Sequence, residues 1–369
     1  MTLGRILAAC ALCSALLPAA CCRSGPPPAT QPDPAGLQEQ RDLIAAAFSG
    51  VDPRDVSAAA SGLPGGAAQR VSAAWWGFDP ENATSSLQSS LDSGARLVLV
   101  PAMGSPWITD PLLVRSHTTL VLQEGAEIVS RKGGFQRSDD SLLKLKDVQG
   151  VTIWGYGAKL VMRKGEYRRQ PYEKSEWRHA IELDGCSDVR ILGLRAESSG
   201  GDGVYLGSGD AQNYNRGVLL KDLTLLDHYR QAISVISAED LRIENVEMAF
   251  TEGTPPSAGI DFEPNYADER LVRCVLSRCL IRANRGAGIS VVLGKMDASS
   301  KAIDIRVEDS TVTGNLVSLV LWGGGKVGGR LEFVRTTLQG LQVVAPGQGV
   351  IIAGTDRTTV RGGSLGRRF

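Results

Sequence analysis

Short apolar runs, three to six residues long and broken by Gly, Asn, Asp or Pro, follow one another through most of the chain from residue 96. The first are Arg96-Leu97-Val98-Leu99-Val100-Pro101, Leu112-Leu113-Val114, Thr118-Thr119-Leu120-Val121-Leu122 and Gly125-Ala126-Glu127-Ile128-Val129. The breaks are too short to hold crossover helices, so the pattern predicts consecutive short strands and an all-β protein. Helical spacing lies ahead of these runs. Gly36 to Gly50 carries Leu37, Leu43, Ile44, Ala47 and Phe48 at helical intervals, and Ser85 to Leu91 sets Leu87 and Leu91 four apart. The pattern leaves open whether the first helix packs on the strands.

The strands repeat. Ala180-Ile181-Glu182-Leu183, Gly203-Val204-Tyr205-Leu206, Ala232-Ile233-Ser234-Val235, Gly259-Ile260-Asp261-Phe262, Gly288-Ile289-Ser290-Val291 and Val317-Ser318-Leu319-Val320 are variants of one segment. From Ile181 the leading apolar position steps by 23, 29, 27 and 29 residues to Val204, Ile233, Ile260 and Ile289. Second segments such as Val189-Arg190-Ile191 and Ile303-Asp304-Ile305-Arg306-Val307 lie between them. Several short strands in a period of roughly 20 to 30 residues predict one solenoid coil per repeat. Alternation turns the Ile, Val and Phe positions inward and leaves Glu182, Tyr205, Ser234, Asp261, Glu263 and Ser290 outside. His179, Asp202, Arg230, Gln231 and Arg285 sit in the turns just before those strands.

Composition agrees with this reading: 43 glycines and only 5% aromatics suit strands and tight turns better than a helical bundle. Lysine plus arginine and aspartate plus glutamate both number 40, so no global charge calls for nucleic acid or an anionic membrane surface. A monomer is expected. Met1 to Arg5 is short and basic, Ile6 to Leu17 is apolar but too short to span a bilayer, and Pro18-Ala19-Ala20-Cys21 has small residues suited to cleavage. Residues 1–20 are therefore read as a signal peptide, 21–74 as a tether with a short helical and irregular segment, and 75–369 as the solenoid domain. The leader resembles a bacterial lipoprotein signal, which implies lipidation of Cys21, with Cys22 or Cys10 as other choices. An ordinary secretory signal is the competing reading. Both place the protein outside the cytoplasm, touching a membrane only through a lipid anchor or else periplasmic or secreted. Cys186, Cys274 and Cys279 are expected as buried packing residues, with one disulfide open to an exported protein. No pair has zinc-ligand spacing.

Gly77-Phe78-Asp79 leading through Leu87-Gln88 to Val98-Leu99-Val100-Pro101, then Leu120-Val121-Leu122-Gln123-Glu124-Gly125-Ala126 and Val151-Thr152-Ile153-Trp154-Gly155-Tyr156-Gly157, resemble the pectin lyase-like superfamily. The resemblance runs from Gly77 to about Phe369. It implies a single-stranded right-handed parallel β-helix with a short N-terminal capping helix. The superfamily includes glycoside hydrolases, polysaccharide lyases, uronate epimerases, esterases and non-catalytic surface proteins, so the fold does not name a reaction. Gly200-Gly201-Asp202-Gly203-Val204 resembles the Asp-Gly segment of polygalacturonases. Arg230-Gln231-Ala232-Ile233-Ser234 sits where that family carries Gly-His-Gly-Ile-Ser, but Gln231 replaces the histidine, and the paired Asp-Asp motif is missing.

The residues themselves support acid chemistry. Asp261 and Glu263, two apart on a strand, have Cα atoms roughly 6.6 Å apart, and Asp202 lies about 9.6 Å lower on the stack. Inverting glycosidases separate their carboxyl groups by about 6.5–9.5 Å and retaining ones by about 5–5.5 Å. The expectation is glycoside hydrolysis with acid and base drawn from Asp202, Asp261 and Glu263, slightly favouring inversion. Trp177, Arg178, His179, Tyr205, His228, Arg230, Gln231 and Arg285 are the candidate substrate-binding residues. The basic and aromatic stretch from Met162 to His179 suits an acidic or sulfated polysaccharide as readily as a solvated insertion. Two other readings stand. A lyase or uronate epimerase would use Arg or His as base, and the resemblance implies calcium in many such lyases; the hydrolase reading needs no cofactor. A polysaccharide-binding surface protein would cleave nothing.

Overall fold

The computed structural model describes residues 33–56 and 69–366, apart from 324–325, 346–348, 356–357 and 362–363. The expected signal peptide and Cys21 lie outside the described residues. Strands too short to pair alone stack instead as coils, giving three parallel sheets of eleven, ten and ten strands among the described residues. This is a right-handed parallel β-helix. Each coil visits a back sheet (Arg70–Ser72 to Val350–Thr355), a flank sheet (Trp107–Thr109 to Thr359–Arg361) and a front sheet (Leu112–Leu113 to Ser364–Gly366).

The corner between the back and flank strands has a sequence cause. In successive coils a single residue after the back strand takes a left-handed conformation: Gly193, Asp222, Asn245, Arg278, Asp309 and Arg335, with φ between 45° and 68°. Glycine, aspartate and asparagine tolerate this region best, and one such residue turns the chain sharply without adding length. Inside, Ile181, Val204, Ile233, Ile260, Ile289 and Leu319 stack in register on the front sheet, and Leu183, Leu206, Val235, Phe262, Val291 and Leu321 form a second ladder; all are fully buried. Fully burying such a side chain is worth about 1.5–3 kcal/mol, so each added coil helps to hold its neighbours.

Two boundaries differ from the sequence reading. The stack begins at Arg70, not at residue 75, because Arg70, Val71 and Ser72 pair with Leu97, Val98 and Leu99. The first helix, expected between Gly36 and Gly50, runs from Pro34 to Ala47, with Pro34 at its first turn and Asp33 capping the Ala35 amide. It packs on the back sheet. Leu43, Ile44, Ala47 and Phe48 cover Leu99 and Val121, while buried Gln40 donates to the carbonyls of Leu122 and Tyr156 and accepts from the Tyr156 amide. The second helix, Thr84–Asp92, buries Leu87 and Leu91 at the N-terminal end of the stack. Cys186, Cys274 and Cys279 are free, buried thiols, each pushed up by that burial. No helix among the described residues is long and apolar enough to cross a membrane.

Candidate active site

The front sheet carries the polar surface that alternation predicts. Lys144, Glu182, Tyr205, Ser234, Asp261, Ser290, Val320 and Val343 occupy one outward column, in register from coil to coil. The column changes character at Ser290: from Lys144 to Ser290 the side chains are polar or charged, above Ser290 they are valines, and Leu113 below Lys144 is again apolar. Glu263 follows immediately after the strand Ile260–Phe262, its amide bonded to the Val235 carbonyl.

Asp261 is held from the side by a ladder of turn residues. His179 N–H donates to Ser141 Oγ (3.3 Å), Asp202 N–H donates to His179 Nδ1 (3.0 Å), and Gln231 N–H donates to Asp202 Oδ1 (3.0 Å). Gln231 Nε2 then donates to Asp261 Oδ2 at 3.0 Å. The Asp261 carboxyl is only 1% exposed, and its pKa is pushed up to about 8, first by burial and then by Glu263 beside it. Arg230 stands among four acids. Its guanidinium is 3.4 Å from Glu263 and 3.7 Å from Glu176; burial opposes its charge, and Asp202, Asp261, Glu176 and Glu263 together outweigh that cost.

A cavity of about 140 Å³ opens beside these groups. Its polar lining is Asp261, Glu263, Arg230 and Ser290, and its apolar lining includes Pro255, Pro256, Val292, Leu316, Val317, Val320 and Val343. The turn from Thr251 to Ser257 forms part of the wall. It is held by Thr251, whose N–H and Oγ1 both donate to Asn284 Oδ1, and Asn284 N–H donates in turn to Asn315 Oδ1. Gly286 permits the close approach, since a Cβ there would fall 1.6 Å from the Pro256 carbonyl oxygen.

Several sequence assignments need correction. Asp202 is fully buried and serves the ladder, so it does not face substrate. His228 is fully buried against Ser199, with Nδ1 2.8 Å from the hydroxyl, and its pKa falls to about 3 through burial. Arg178 is likewise inside: it donates to the carbonyls of Phe135, Gln136 and Glu173 and lies over Tyr167 and Tyr172. It anchors the Met162–His179 insertion rather than a glycan. His179 is buried too, its ring stacked on Tyr205 at 4.5 Å, and Gln231 reaches the site only through Asp261. Arg285 points to Glu252 at 3.2 Å and does not line the cavity. Trp177 is half exposed in the turn entering the front sheet. The basic residues of the insertion, including Arg163, Lys164, Arg168 and Arg169, line a separate open cavity of about 910 Å³.

Other residues escaped the sequence reading. Glu176 is the second partner of Arg230, and exposed Tyr266 follows Glu263 in the turn leaving the sheet. Asp184, on the strand Ile181–Asp184, forms a second acid pair with Glu182: burial and Glu182 push Asp184 up to about 8, while Lys144 lies 2.7 Å from Glu182. The repeated Glu-x-Asp and Asp-x-Glu spacing was the available signal. For the calcium that the lyase resemblance implies, the residues do not fit. Among the described residues no group of three or more acids, histidines or cysteines is arranged around a common point, and the carboxylates near Asp261 surround a guanidinium instead.

No protein-family model and no curated protein matches the chain by sequence. Solved structures do match by shape. Tailspike protein gp49 of Acinetobacter baumannii bacteriophage Fri1, a capsular polysaccharide depolymerase, is 13% identical with a TM-score of 0.53, covering 80% of this chain and 63% of its own. The tailspike of E. coli bacteriophage HK620, solved with a pentasaccharide, is 11% identical with a TM-score of 0.59, covering 80% of this chain and 58% of its own. The polygalacturonase of Erwinia carotovora ssp. carotovora is 10% identical with a TM-score of 0.52, covering 82% and 96%. The chain thus matches less than two thirds of the length of either tailspike. These likenesses establish the right-handed parallel β-helix fold.

Proposed function

We propose that the protein hydrolyses a polysaccharide outside the cytoplasm, with Asp261 as proton donor to the glycosidic oxygen and Glu263 as the carboxylate that draws a proton from the attacking water. The observation that carries this reading is the pairing of unlike environments at one cavity: Asp261 is buried and held protonated near neutral pH, while Glu263, two residues on, is partly open and faces Arg230. Two acids whose surroundings separate their roles are what glycoside hydrolysis requires. Inversion or retention depends on the separation of the two carboxyl groups and is read from the anomeric configuration of the first product. Net atoms balance simply: the leaving sugar gains the Asp261 proton, water gives its hydroxyl to the anomeric carbon and its proton to Glu263.

The same-fold structures described as a polysaccharide depolymerase and a polygalacturonase support the substrate class. A lyase would need His or Arg facing substrate as base: His179 and His228 are buried, and Arg230, which lines the cavity, is held in its charged form by the acids around it, Glu176 and Glu263 among them. The decisive test presents the purified protein with neutral, uronate and sulfated polysaccharides and follows products by mass spectrometry. New reducing ends without unsaturated-uronate absorbance are expected. Unsaturated products would establish a lyase, and retention on a polysaccharide without cleavage would establish a binding protein.

A further inference from the structure

The upper part of the front sheet breaks the alternation that holds from Lys144 to Ser290; outside that stretch Leu113, at the lower end, is also apolar and outward. Where the outward column carries Lys144, Glu182 and Tyr205 in the lower coils, it carries Val320 and Val343 in the upper ones, and the neighbouring outward position holds Val292. Val292, Val320 and Val343 are only partly covered by the protein, so apolar side chains stand on both faces of these strands. A solvated sheet face does not need valines, and a wet carbohydrate groove would favour hydroxyls and amides. Here they continue, beyond Ser290, the same sheet face that bears Asp261, and they line the same cavity as Asp261 and Glu263.

Size and charge narrow what fits. A buried water needs roughly 10–15 Å³ of such space, so about 140 Å³ holds several waters and gives room for about one sugar ring. A uronate is a poor occupant. Arg230, the cation of the cavity wall, already faces Glu176 and Glu263, and a further carboxylate would meet these two without a free partner. The basic insertion that suits an acidic sugar lines the other cavity.

We infer that this cavity takes a sugar residue bearing a methyl group, as an acetyl or a deoxy substituent, with the methyl against Val292, Val320 and Val343 and the glycosidic oxygen toward Asp261. The inference rests on the hydrolase reading for the orientation of the sugar, but the methyl contact stands on the cavity wall.

The test uses matched monosaccharides and ligand-observed saturation-transfer NMR on the Asp261→Asn protein: N-acetylglucosamine against glucose, fucose against galactose, rhamnose against mannose, and galacturonate as the charged control. At least one methyl-bearing sugar is expected to bind about tenfold or more tightly than its hydroxyl counterpart, with its methyl protons the most strongly saturated. The first pair reports acetyl recognition and the other two deoxy recognition. Val320→Thr, similar in shape and mild for folding, should remove most of the preference, whereas Leu113→Thr, lower on the same sheet, should leave it. Equal binding within all pairs, no binding of any methyl-bearing sugar, or galacturonate binding as tightly as the best of them overturns the inference. Cleavage of a polysaccharide without methyl preference removes this inference and keeps the hydrolase; methyl preference with no cleavage of a polysaccharide built from that sugar does the reverse.

Discussion

Glu182 with Asp184 and Asp261 with Glu263 are the same arrangement written on two coils of one sheet. Glu182 and Asp261 lie in one outward column, three coils apart, and each second acid follows two residues later. In each pair one carboxyl is pushed up to about 8 by burial and then by its neighbour, but it is the second acid in the lower pair and the first in the upper. The surroundings explain the inversion. Lys144 lies 2.7 Å from Glu182 and favours its charge, so the proton resides on Asp184; above, Arg230 lies 3.4 Å from Glu263, and the proton resides on Asp261. Only the upper pair borders the apolar cavity. Spacing along a strand therefore supplies the pair, while the nearest cation and the shape of the turns decide which acid is neutral and whether anything can reach it.

The comparison is broken most sharply by neutralising each protonated acid in turn. Asp261→Asn should lower turnover by about 10²–10⁴-fold, the usual contribution of a general acid, with unchanged circular dichroism. Asp184→Asn should leave turnover within about threefold. Both are read as reducing ends released from whichever polysaccharide the panel identifies. Equal losses in the two variants, or a larger loss in Asp184→Asn, would move the catalytic centre to the lower coils.

How far the sequence reaches is visible in the same residues. Strand positions were legible because a solenoid repeats its pattern: the expected segments at Ile181, Val204, Ile233, Ile260 and Ile289 all lie in front-sheet strands, and period-two alternation put Asp261 outside the core ladder. Turn residues were not. Asp202, His228 and Arg178 sit in the turns between the flank and front sheets, where no periodicity says which way a side chain points, and all three turn inward to bond backbone or neighbouring turns. Asp184 was missed for a smaller reason: the strand was read as ending at Leu183, one residue early. The wall made by Pro255 and Pro256 comes from one turn crossing Gly286 of the next coil, a tertiary contact that carries no local signature.

The cations provide the next contrast. Arg230 has a side chain 15% exposed and is the positive partner of several acids, whereas Lys144, at 25%, serves chiefly Glu182. Arg230→Met should cost about 3–5 kcal/mol of stability by urea unfolding, because the carboxylates around it lose their counter-charge. Lys144→Met should cost roughly 1.5 kcal/mol. Similar losses from the two substitutions would mean that Arg230 is not the hub of the upper site.

The finest distinction is in pH. An unperturbed aspartate has a pKa near about 3.9, and Asp261 lies near 8 in the folded protein. Between those values the folded state holds a proton that the unfolded chain has released, so this group's contribution to stability falls as pH rises through that window and is level above it. The slope is at most about 1.4 kcal/mol per pH unit for each such group. Asn does not titrate. Asp261→Asn should therefore flatten the decline in urea midpoint between about pH 5 and pH 8, and Asp184→Asn should flatten it separately, since Asp184 has the same displacement and lies three coils away. Catalysis separates the two: above about pH 8 the wild-type rate should fall as Asp261 loses its proton, and Asp184→Asn should leave that fall in place. A wild-type stability curve that is flat across the window, or one whose slope is undiminished in Asp261→Asn, would show that Asp261 is ionised at neutral pH and cannot be the proton donor.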